Sequence, residues 1–231
     1  MRIAAPERPL YASAAIAAAL FIVAGFEPTY YLKGAFGTPE LSVLKHVHGV
    51  VMTTWFVLFF VQARLVATGR TDIHRQLGIA GIFVAMLVVA FGTTLAISSA
   101  RAGFSPAPDF PPLAFFALPF FDMVVFAVLF VTAIALRKRS AWHKRLMLLA
   151  TLGMLAPAFA RLLRTVGLGG PAIFALVDLT VIAFIAYDTR KNRRLHPAFA
   201  WGFAFMILGQ GARIALSRTA AWDSFARWLI G

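Results

Sequence analysis

The chain has 231 residues, of which 61% are hydrophobic and only 13% charged, with a mean hydropathy of +0.81 and a net charge of +13. A soluble domain is about half apolar, so this composition excludes a water-soluble surface and predicts an all-α, polytopic membrane helix bundle. The basic excess falls between apolar stretches, where membrane topology accounts for it without nucleic acid, and the absence of cysteine excludes disulfides, thiolate zinc sites, iron–sulfur clusters and a cysteine nucleophile.

A spanning helix needs ~20 apolar residues. Seven segments meet that need, at about 10–27, 43–66, 77–99, 112–136, 144–167, 171–187 and 198–217, and together they make residues 1–231 one transmembrane helical domain. The first follows Arg2 and Arg8. It runs on through Leu20, Phe21, Ile22 and Val23 without a cleavage site, so it reads as a membrane helix and not as a signal peptide. Glu27-Pro28-Thr29-Tyr30-Tyr31 closes it with aromatics at interface depth. Pro106, Pro108, Pro111 and Pro112 predict an irregular linker ahead of the fourth segment. The tail after residue 217 mixes Trp222, Phe225, Trp228, Leu229 and Ile230 with Arg218, Asp223 and Arg227, which suits a short helix lying in the interface.

Charge sets the orientation. Arg64, Arg70 and Arg75 surround the second loop, Arg137, Lys138, Arg139, Lys144 and Arg145 the fourth, and Arg190, Lys191, Arg193 and Arg194 the sixth. Positive residues stay inside, so the amino terminus is predicted to be cytoplasmic and the carboxyl terminus to face outward. The strict alternation supports a count of seven.

Five ionisable residues fall within the apolar segments: His48, Asp122, Arg161, Asp178 and Arg213. At ~1.5 Å rise per residue all five lie in the outer half. Such residues mark either a polar site or an ion-pair network. Two acids balance two arginines, so a structural network is the first reading. The second is a pocket open to the outer face, in which arginine's planar fork takes an anionic ligand. On the second helix His48, Trp55 and Gln62 recur every seven residues and share one face, with Gly49 suited to close helix approach. His46 points elsewhere, so His46 and His48 make a poor metal pair on a helix. Pro119 and Pro157 each precede a buried charge by about one turn and predict local kinks.

His74, His143 and His196 open the third, fifth and seventh helices. Three histidines can ligate zinc, iron or copper, although the neighbouring cations disfavour a divalent ion. The histidine pairs of a cytochrome b561 arrangement are not met, which leaves at most a heme held by a single histidine. The last helix has no lysine for retinal, and the chain lacks the late His-x-x-x-His pair of ceramidase-type hydrolases.

Two blocks resemble a family of bacterial multi-pass inner-membrane proteins. One is His48-Gly49, Trp55, Gln62, Leu65, Gly69-Arg70, His74-Arg75 and Gly78. The other is Trp142-His143-Lys144-Arg145-Leu146-Met147 through Pro157 and Arg161. The resemblance covers under a third of the chain and implies a fold and a bacterial inner-membrane location, with no catalytic roles. Three functions stay open at this point: a protein that binds or moves a small polar or anionic molecule, a heme- or metal-binding redox protein, and an assembly subunit held by a membrane-protein partner.

Overall fold

The structure, a computed structural model, describes residues 8–106 and 110–231. Arg2 and Pro108, noted above, lie outside the described residues. Every regular element among the described residues is helical: α1 (Arg8–Phe26), α2 (Val43–Ala67), α3 (Thr71–Arg101), α4 (Pro112–Ala135), α5 (Ser140–Gly153), α6 (Ala156–Arg164), α7 (Pro171–Asn192), α8 (Pro197–Leu216) and α9 (Ala220–Ile230). Helix α1 ends in a π-helical turn, Glu27–Tyr31, and α5 with α6 forms one interrupted span. Among the described residues seven spans are long and apolar enough to cross a membrane, as the hydropathy pattern predicts.

The spans differ in detail from the apolar segments. Helix α3 begins at Thr71, because Asp72 in its first turn complements the helix dipole and extends the helix below the apolar run. Helix α7 continues to Asn192, carrying Asp188 inside, before Arg193 adopts a left-handed conformation (φ 55°) that stops it. Pro112 opens α4, where its missing N–H costs nothing. The fifth span is broken because Pro157 has no N–H to offer the Gly153 carbonyl. The chain instead tightens through short bonds from Met154 to Thr151 and from Leu155 to Leu152.

Consecutive helices pack side by side from α1 to α5, and the bundle is completed by α1 against α6, α6 against α7, and α8 against both α4 and α5. The fifth span is the most enclosed. Leu146, Leu148, Leu149, Leu152, Leu155 and Phe159 are fully buried there. Small residues set the close approaches, as expected where lipid gives helices no hydrophobic reason to associate. Ala14, Ala15 and Ala18 form the buried stripe of α1. A Cβ on Gly25 would lie 2.7 Å from the Ala158 backbone, so α1 and α6 touch main chain to main chain. Gly202 likewise seats Leu149.

The basic loops gather at one end of the bundle, here called the basic end. There Trp142 meets His196 and Arg145 meets Asp188. The opposite, far end holds α9, which docks Trp222 and Ala226 onto Phe116 and Ala117 of α4 and Ala96 and Ala100 of α3. Its Trp222 Nε1 donates to the Leu113 carbonyl at 2.8 Å, while Trp228 stays 76% exposed. The tail is therefore a short helix as predicted, with one aromatic face docked and the other free.

Candidate functional site

The five intramembrane ionisable residues separate into two groups on different helices. The first joins α4, α7 and α8. Arg213 Nη1 pairs with Asp122 Oδ1, and its Nε donates to the Gly209 carbonyl at 3.2 Å. The guanidinium also lies 5.3 Å from the Phe174 ring centre and is only 4% exposed. Asp178 takes no arginine. Its Oδ1 accepts from Gln210 Nε2 at 2.8 Å. Gln210 sits three residues before Arg213 on the same face of α8, a signal readable in the sequence but not used there. Beside Asp122, Gln210 and Arg213 is a cavity of about 20 Å³, with Gly153 of the interrupted span in its wall. A cavity of that size holds roughly one water, and each charged side chain of the group has a partner.

The second group joins α1, α2, α3 and α6. Arg161 Nη1 donates to the Pro157 carbonyl at 2.9 Å, and the guanidinium stacks on Phe26 at 4.0 Å from the ring centre. No described carboxylate pairs with it, so the predicted balance of two acids against two arginines is not realised. His48 is its titratable neighbour, and Arg164 adds a second positive charge nearby. The His48 ring engages the Phe91 backbone on one side, while its Nδ1 is buried without a partner. Gly49 makes room here, since a side chain at that position would strike the Tyr30 ring of the π-turn. Tyr30 in turn donates to the His46 carbonyl at 3.2 Å, and the Tyr31 hydroxyl meets Thr53 Oγ1 at 2.9 Å.

Trp55 and Gln62 continue the His48 face toward the basic end. Trp55 is in the core, edge-on to Phe126 and Phe130 at 5.0 and 5.7 Å. Trp55 Nε1 and Gln62 Oε1 are both buried without hydrogen-bond partners. The aromatic packing buries Trp55 almost completely.

At the basic end the histidines behave differently from one another. The His74 and His143 rings meet at 6.3 Å, nearly edge-on. His196 lies apart, against Trp142 at 5.7 Å, with its Nδ1 accepting from the Ala198 N–H at 3.1 Å as the cap of α8. Among the described residues no three His, Asp or Glu side chains converge as a metal site.

The strongest polar feature of this end lies outside the set of ionisable residues expected within the apolar segments. Arg145 Nε and Nη2 grip both oxygens of Asp188 at 2.8–3.0 Å, and Nη1 donates to the Ala141 carbonyl at 3.0 Å. Both side chains are buried. A bidentate pair of this kind satisfies its own charges and leaves nothing for a ligand.

Comparison of the chain with protein-family models, with curated proteins and with solved structures gives no match.

Proposed function

We propose that this multi-pass membrane protein binds a small anion, a carboxylate or phosphate, between the far ends of α1, α2 and α6. The observation that carries the reading is Arg161. Arg213 and Arg145 each hold an aspartate, while Arg161 holds none among the described residues. A guanidinium in an apolar surround is costly without a counter-charge, and the adjacent His48 has an unsatisfied ring nitrogen. Arg161 offers a planar fork, the complement of a carboxylate or phosphate, and the free His48 Nδ1 offers an acceptor for an O–H of a protonated phosphate.

The positive-inside pattern supports an amino terminus in the cytoplasm and a site that opens outward. The resemblance to bacterial inner-membrane proteins supports that membrane. The chain has no native cysteine, so single cysteines introduced at Gly34 and Lys138 report sidedness directly. Gly34→Cys reacts with an impermeant maleimide in intact cells and Lys138→Cys only after lysis; the reverse pattern refutes the orientation.

Binding is tested on detergent-purified protein by calorimetry with inorganic phosphate, acetate and succinate. Saturable binding of at least one anion is expected, abolished by Arg161→Gln and weakened by His48→Phe. No binding by any of the three, or unchanged binding in Arg161→Gln, refutes the assignment.

A further inference from the structure

We infer that His74 and His143 form a site for a single monovalent copper ion at the basic end of the bundle. This inference does not depend on the anion site, which lies at the other end and uses different residues.

His143 is set up as a ligand. Its Nδ1 lies 2.9 Å from the Ala133 carbonyl, which makes that nitrogen the N–H donor and leaves Nε2 with a free lone pair. A backbone carbonyl that orients an imidazole in this way is the usual support of a metal-bound histidine. His74 comes from α3 and has its Nδ1 buried without a partner. Gln62 of α2 brings its amide against Gly78, one turn along α3 from His74, and its Oε1 is also buried without a partner. A carbonyl oxygen only accepts, so an anion cannot satisfy it. Its carbonyl dipole suits a positive charge nearby while staying outside a two-nitrogen ligand shell.

Geometry and charge select the ion. Two imidazole nitrogens each ~2 Å from one metal place the ring centres about 6 Å apart when the two ligands are nearly opposite, and about 5 Å apart at a tetrahedral angle. The observed 6.3 Å matches the open, two-coordinate arrangement. Arg75 and Arg137 are the charged neighbours of the pair, and no carboxylate joins it among the described residues. Positive surroundings penalise a divalent ion more than a monovalent one. Reduced copper accepts two nitrogen ligands in a nearly linear geometry and carries a single charge. His196 takes no part, because its Nδ1 is used to cap α8.

The test uses the full chain in detergent, loaded anaerobically with copper kept reduced by ascorbate and competed against a chromophoric copper(I) chelator. One copper per chain is expected, with His74→Ala and His143→Ala at background, Gln62→Leu roughly tenfold weaker, and His196→Ala unchanged. Copper-edge absorption on the loaded native chain should show two nitrogen ligands, a readout that needs no variant to fold. Sulfur in that ligand shell, zinc(II) bound as tightly at the same residues, or stoichiometric copper retained in His143→Ala overturns the proposal.

Discussion

Arg145 and Asp188 clasp each other across the boundary between α5 and α7, with the guanidinium 3% and the carboxylate 0% exposed. Removing one partner of such a pair strands a buried charge, which costs ~3–5 kcal/mol, whereas replacing both with apolar groups of similar volume is often neutral. Asp188→Leu is therefore expected to lower the unfolding temperature in detergent sharply, and Arg145→Met with Asp188→Leu to restore most of it. Equal unfolding temperatures for the native chain and the single variant would show the pair to be dispensable.

The two far-end arginines separate by the same logic. Arg213 holds Asp122, so Arg213→Ala is expected to cost about 3 kcal/mol. Arg161 gives up only a stacking contact with Phe26 and a bond to a carbonyl, so Arg161→Ala is expected to cost about 1 kcal/mol. Parallel denaturation curves rank the two. A larger loss for Arg161→Ala than for Arg213→Ala would contradict the assignment of Arg213 to structure and Arg161 to binding.

Close approach of α1 to α6 rests on Gly25. An added methyl would meet the Ala158 Cα and carbonyl oxygen at 2.7 Å, and main chain cannot swing aside as a side chain can. Gly25→Ala is expected to destabilise by roughly 1–3 kcal/mol. Gly34→Ala, where the new methyl meets nothing within 4 Å, provides the neutral comparison. Thermal unfolding of the two variants side by side decides the matter.

His196 gives the basic end a pH response. Burial holds its pKa below the usual histidine value, Arg145, Arg194 and Lys144 push the same way, and Asp188 opposes them. A base with a depressed folded pKa favours the folded state while neutral. Its contribution is present above the unfolded value near 6.5 and is lost as pH falls through the folded value. Protonating Nδ1 also removes the acceptor that caps α8 at Ala198. Acidifying from pH 7.5 to 5 should lower the native unfolding temperature more than that of His196→Asn, which keeps a capping oxygen. Identical pH profiles would dismiss this role.

The bundle itself was readable because hydrophobic length and loop charge are local signals, and Pro157 announced the interruption that separates α5 from α6. Pairing was less readable. Asp122, Arg161, Asp178 and Arg213 looked balanced on paper, but Asp178 takes Gln210 and leaves Arg161 without an acid. Which helices adjoin is a tertiary fact that spacing along one chain does not contain. Arg145 and Asp188 escaped notice for a different reason. Both sit where an apolar run meets a basic loop, and positive-inside counting absorbs such residues into topology. The extension of α7 to Asn192 draws Asp188 inside, and the start of α5 at Ser140 does the same for Arg145. The three histidines opened three helices as the sequence suggested, yet only His74 and His143 meet.

The break between Gly153 and Ala156 divides one crossing of the membrane between two sets of neighbours. Helix α5 packs chiefly with α4 and α8 and less with α7 and α1, while α6 packs with α1 and α7. The joint between them has surrendered backbone hydrogen bonds to Pro157 and borders the small cavity beside Asp122. The fifth crossing is in this sense an articulated strut. Its lower piece is anchored in the most tightly filled part of the bundle, and its upper piece carries Arg161 at the tip. Arg161 is therefore set by the packing of α6 against α1 at Gly25 and Ala158, and not by the buried leucines of α5.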